Sequence, residues 1–156
     1  MRAAFVWAVG SANSRGRYGA VRCGFVSSAA MQGLHLTADL HGCAPPQPLL
    51  MTDPALLREL CLRVVSEAGL SAVGELFHRF PAPGGVTGVV LLAESHLTVH
   101  TWPELAAVTL DVYVCNVSQD HGARAEGLLV NLESAFAAAT CQRQRLMRGG
   151  RLRAPA

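Results

Sequence analysis

Between Leu91 and Glu104 the chain reads LLAESHLTVHTWPE, and Cys115 follows twenty residues after Ser95. One short span thus holds a serine, two histidines, two glutamates, a tryptophan and, a little later, a cysteine. A hydrolase-type serine sits on a strand-to-helix elbow, G-x-S-x-G, whose sharp turn lifts the hydroxyl above the sheet. Ser95 has neither glycine, and the residues after it alternate as a strand. A metal site at His96 and His100 needs both imidazoles about 2 Å from one ion. Four residues make one turn of a helix, but in a strand they span roughly 13 Å. No metal is therefore expected. The residues alone leave open a plainer reading, in which Glu94 and Ser95 form a bend and the histidines lie on a solvated face.

Composition removes other chemistry. All thirteen basic residues are arginine. Without lysine the chain cannot anchor pyridoxal phosphate as a Schiff base, nor use a lysine nucleophile. The five cysteines, Cys23, Cys43, Cys61, Cys115 and Cys141, are odd in number and form no C-x-x-C pair, which disfavours a disulfide scaffold or a zinc ribbon. This usage fits a reducing cytoplasm. A net charge of +2 gives no argument for nucleic acid, and no apolar run approaches the ~18 residues that would suggest a membrane span. At 51% hydrophobic residues, the chain has enough for one packed domain.

The elements that must position these residues can be read from periodicity. Residues 1–30 are read as a flexible N-terminal extension, 31–150 as the folded domain, and 151–156 as a C-terminal tail. Leu34, Leu36, Ala38 and Leu40 alternate with polar residues as a half-buried strand. Asp53 and Pro54 suit the cap and first position of a helix whose stripe runs from Leu56 to Ala68. Strands follow at AVGELFHRF, VTGVVLLA, HLTVHTW and VTLDVYVC, then a helix over Gly122–Ala138 and a last strand, CQRQRLMRG. The pattern predicts an α+β fold, a two-layer αβ sandwich with a mainly antiparallel sheet and helices on one face. Alternation puts His96, Thr98, His100 and Trp102 on one face, and Thr109, Asp111, Tyr113 and Cys115 on the matching face of the next strand.

The run GVTGVVLLAESHLTVHTWPE, followed by LDVYVC, resembles the prokaryotic-type S-adenosylmethionine decarboxylase proenzymes, with a looser likeness from Gly33 to Gly149. The resemblance implies a chain that cuts itself between Glu94 and Ser95. Ser95 would become a pyruvoyl group, which forms a Schiff base with the substrate amine and serves as the electron sink in place of pyridoxal phosphate. It further implies His100 as the base for processing, beside Ser95 on its strand, Cys115 as proton donor in decarboxylation, and Thr87 as a hydroxyl supporting cleavage. Trp102, Glu104 and Phe80 fall at substrate-binding positions. The implied product donates aminopropyl groups for spermidine synthesis, and the implied assembly is a homodimer of cleaved chains with no nucleic-acid or membrane partner.

Departures from the family pattern cluster away from Ser95, His100 and Cys115. LAAVTLD after Glu104 lacks the usual glycine and tyrosine, Asn116 replaces a glycine, and PAPGGVT is one residue longer than usual. They fall where the family shapes its substrate pocket, so pyruvoyl-dependent decarboxylation of arginine or ornithine is the competing expectation. A non-processing regulatory homologue is the third, disfavoured by the intact motif.

Overall fold

The computed structural model describes residues 31–150 apart from residue 83 and residues 117–119; the expected extension at 1–30 and tail at 151–156 lie outside the described residues. Strand β1 (Met31–His41) buries Leu34, Leu36, Ala38 and Leu40, while His35, Thr37 and Asp39 face the other way. Helix α1 (Pro54–Glu67) starts as expected. The Asp53 carboxylate accepts from the N–H groups of Ala55 (2.8 Å) and Leu56 (3.3 Å), which have no partner within the helix. Leu57, Leu60, Cys61, Val64 and Val65 form its buried stripe.

Strands β2 (Ala72–Arg79), β3 (Val86–Leu92), β4 (Ser95–Trp102) and β5 (Ala107–Cys115) follow as an antiparallel meander. Helix α2 (Gly122–Phe136) buries Ala125, Leu128, Leu129, Leu132 and Phe136. It stops two residues short of the expected Ala138 because Ala137 takes a left-handed conformation, φ 46°. Strand β6 (Thr140–Gly150) then pairs with β1, completing an all-antiparallel sheet in the order β2-β3-β4-β5-β1-β6.

Both helices cover one face of the sheet, where Val90, Leu97, Val99, Leu110, Val112 and Val114 meet the helical stripes. This is the two-layer α+β sandwich expected from the sequence. On β6, Arg143 pairs with Glu133 and Arg145 with Glu126, both on α2. An edge strand held by charge in this way is a poor template for further strand pairing. No helix of the described residues is long and apolar enough to cross a membrane.

A buried threonine interrupts the apolar face. Thr101, only 3% exposed, donates from its hydroxyl to the Met51 carbonyl (2.7 Å) and accepts from the Val86 N–H (2.8 Å). It ties the end of β4 to the start of β3 and to the short 3-10 turn at Pro48–Met51. The approach is close enough that a Cβ on Gly85 would lie 2.4 Å from the Thr101 carbonyl oxygen, so a side chain at position 85 would force these backbones apart.

Candidate active site

The chemistry of the sheet falls in three groups, one at each end and one between. At one end, Ala93 and Glu94 form the turn between β3 and β4, and Ser95 begins β4. Ser95 is half-buried, and its Oγ accepts a hydrogen bond from the Cys115 N–H at 3.2 Å. Strand pairing therefore brings the hydroxyl and the thiol-bearing residue together across twenty positions of sequence.

At the other end, Thr87 and His100 are cross-strand partners, and the Thr87 hydroxyl shares a 2.8 Å hydrogen bond with His100 Nδ1. Phe80, Thr87, His100, Trp102 and Thr109 line an open pocket there, with Glu104 alongside. Phe80 and Trp102 are 50% and 44% exposed, leaving two aromatic surfaces free to meet a flat ligand.

These two ends do not meet within one chain. Ser95 and His100 are five residues apart on one strand, which is about 16 Å. The odd spacing also gives them opposite faces by alternation. The expectation that the strand sets His100 beside Ser95 is corrected accordingly. The structure joins Ser95 with Cys115, joins Thr87 with His100, gathers Trp102, Glu104 and Phe80 around the latter, and keeps the two pairs apart. Cys115 does share the open face with His100, as alternation predicts, but at the opposite end of the strands.

Between the ends lies a network the sequence did not reveal. The His35 Nε2 is 3.1 Å from one Asp111 oxygen, and the Thr98 hydroxyl donates to the other at 3.3 Å. The Tyr113 ring lies 5.5 Å from His96 and 6.0 Å from His35, with the Arg148 guanidinium 5.6 Å above it. These residues come from β1, β4, β5 and β6. Finding them required knowing that β1 lies between β5 and β6, which periodicity does not tell.

Burial and then the charge of His35 hold His96 below its ordinary pKa of 6.5; Arg148 adds to the depression and Asp111 opposes it. A depressed histidine is neutral in the fold but protonates in the unfolded chain. Its contribution to stability is full above pH 6.5 and is lost as pH falls from 6.5 through the lowered folded value. His96→Gln is expected to flatten the fall in melting temperature over that window. An unchanged acid slope in thermal melts would show that His96 does not contribute to it.

Among the described residues, no three His, Cys, Asp or Glu side chains are grouped to hold a metal ion.

Comparison with known proteins shows the family. The S-adenosylmethionine decarboxylase family matches residues 34–149. The S-adenosylmethionine decarboxylase proenzyme of Carboxydothermus hydrogenoformans is 40% identical over 88 residues, covering 56% of this chain and 66% of the relative. The proenzyme of Pyrococcus furiosus is 34% identical over 105 residues, covering 67% of this chain and 73% of the relative. The crystal structure of the adenosylmethionine decarboxylase from Aquifex aeolicus superposes with a TM-score of 0.68 at 31% identity, covering 82% of this chain and 99% of that one. The fold is thus shared with a solved relative, and the match over residues 34–149 shows that the chain belongs to the S-adenosylmethionine decarboxylase family.

Proposed function

We propose that this chain is a self-processing decarboxylase that cuts itself at Glu94–Ser95 and acts on S-adenosylmethionine. The observation that carries the reading is the position of Ser95: first residue of a strand, directly after a two-residue turn, with its hydroxyl anchored by the Cys115 N–H. A serine hydroxyl that attacks the carbonyl before it exchanges a peptide bond for an ester. A turn is where the backbone has room for that exchange without breaking a ladder of strand hydrogen bonds. β-Elimination from the ester releases the piece ending at Glu94 and leaves dehydroalanine at position 95, which water converts to the pyruvoyl group with loss of ammonia. When formed, that group supplies the electron sink that a chain without lysine cannot obtain from pyridoxal phosphate.

The residues at the two ends of the sheet together suit such a group. Cys115 brings a thiol to the same end of the sheet, where it serves as the proton donor. Phe80 and Trp102 offer aromatic faces to a nucleobase, and the Glu104 carboxylate suits ribose hydroxyls. His100 is the base for elimination, with Thr87 fixing its ring through Nδ1. The distance between His100 and Ser95 is bridged by a homodimer. A second copy, docked where Leu76, Leu91, Phe80 and Trp102 are exposed, brings its own Thr87–His100 pair to the end of the sheet that holds this chain's Glu94–Ser95 turn. The product is an aminopropyl donor of the kind consumed in spermidine synthesis, and the place of action is the cytoplasm.

Release of carbon dioxide from carboxyl-labelled S-adenosylmethionine, ornithine and arginine, measured side by side on enzyme checked by intact mass, tests this. Release from S-adenosylmethionine by cut chains is expected. Release from arginine or ornithine alone would replace the substrate, and an inert, uncut chain would remove the enzyme reading altogether.

A further inference from the structure

We propose that Tyr113 is a positioning residue for Cys115, its hydroxyl hydrogen-bonding the thiol at the end of the sheet where β4 begins. The inference rests on the proposed role of Cys115 as proton donor. Tyr113 and Cys115 are two apart on β5 and so share the open face. The phenol does not extend into solvent but lies back across β1. A Cβ on Gly33 would stand 2.3 Å from the Tyr113 hydroxyl oxygen and 2.6 Å from two ring carbons, so the ring occupies the space that a side chain at position 33 would need. Gly33 is the cross-strand partner of Cys115 on one side and of Arg148 on the other. The hydroxyl is thereby delivered to the row that holds the thiol.

The ring is fixed from several directions. His96 packs tilted against it, His35 meets it edge-on, and Arg148 sits over its face. Burial, and after it the charge and hydrogen bond of Cys115, hold the phenol above its ordinary range; Arg148 acts in the opposite sense. A phenol kept protonated beside a sulfur is a hydrogen-bond donor to it.

Such a donor matters to a thiol that spends its proton. When the substrate loses carbon dioxide, the electron pair of the broken bond must end in a new C–H bond. If the Cys115 proton goes to the substrate's α-carbon, hydrolysis of the resulting imine frees the product amine and restores the pyruvoyl carbonyl, and the thiolate left behind is stabilised by the Tyr113 O–H. If a proton reaches the former pyruvoyl carbon instead, hydrolysis gives an aldehyde and leaves alanine at position 95. Tyr113 therefore governs both the ease of proton transfer and where the proton goes.

The test uses processed full-length enzyme. Alkylation of Cys115 by iodoacetamide, followed at that peptide by mass spectrometry across pH, reports the thiolate directly and needs no turnover. Tyr113→Phe keeps the ring and removes the hydroxyl; Gly33→Ala keeps the hydroxyl and displaces it. Both are expected to move the alkylation midpoint up by about half to one pH unit. During turnover, Tyr113→Phe is expected to raise the fraction of chains ending as alanine at position 95 about tenfold, with KM unchanged. An unmoved alkylation midpoint in Tyr113→Phe overturns the inference. Normal turnover in Cys115→Ala overturns instead the proton-donor reading beneath it, an outcome the alkylation measurement does not depend on.

Discussion

Ser95→Ala is expected to yield one uncut chain with no decarboxylase activity. The loss should be complete, because alanine has no hydroxyl to attack the Glu94 carbonyl and no oxygen from which an ester could form. The fold should survive it. Ser95 is half-buried at a strand end, and its hydroxyl accepts from the Cys115 N–H. Removing that acceptor costs on the order of 1 kcal/mol. A denaturing gel and intact mass separate the outcomes: wild type gives two pieces divided between residues 94 and 95, and the variant gives one. A variant that is still cut there would move the scissile chemistry to another residue.

The second large effect is expected at His100. His100→Ala should slow cleavage by roughly 10²- to 10⁴-fold, the usual contribution of a general base. About 16 Å of strand separates His100 from Ser95 in its own chain, so the more discriminating experiment uses two chains. A Ser95→Ala chain keeps its histidine and cannot be cut; a His100→Ala chain keeps its serine and lacks the base. Co-expressed with different tags, they should form mixed dimers in which the His100→Ala chain alone is cut, at close to the wild-type rate. Absence of rescue while mixed dimers are present would confine His100 to its own chain or remove it from processing.

Much of this architecture is legible in the residues. Asp53 before Pro54 announces the start of α1, and the strict alternation of HLTVHTW and VTLDVYVC sorts each strand into a helix-packed and an open face. What is not legible has specific causes. Thr101 sits at an apolar position in its strand, and nothing in its neighbours reveals that the Met51 carbonyl and the Val86 N–H converge on it. His35, Arg148 and Gly33 acquire a relation to Tyr113 only through the order β5-β1-β6, which brings together residues more than a hundred positions apart. The separation of Ser95 from His100 was present in the spacing, since five is odd. It is easily missed because residues close in a motif are readily taken to be close in space.

The order of the strands has a consequence if the chain cuts itself as proposed. The first piece carries β1, α1, β2 and β3; the second carries β4, β5, α2 and β6. Strand β1 lies between β5 and β6, and β3 pairs with β4. Severing the Glu94–Ser95 bond divides the covalent chain and leaves the two pieces interlaced, each holding strands the other needs. A fold assembled as one molecule thus becomes an obligate pair. Once unfolded, its return depends on concentration, as for two partners that must find each other, whereas the uncut Ser95→Ala chain returns by a first-order process. On the proposed reading, the step that gives the chain its reactive group would also turn its refolding from a one-body into a two-body event.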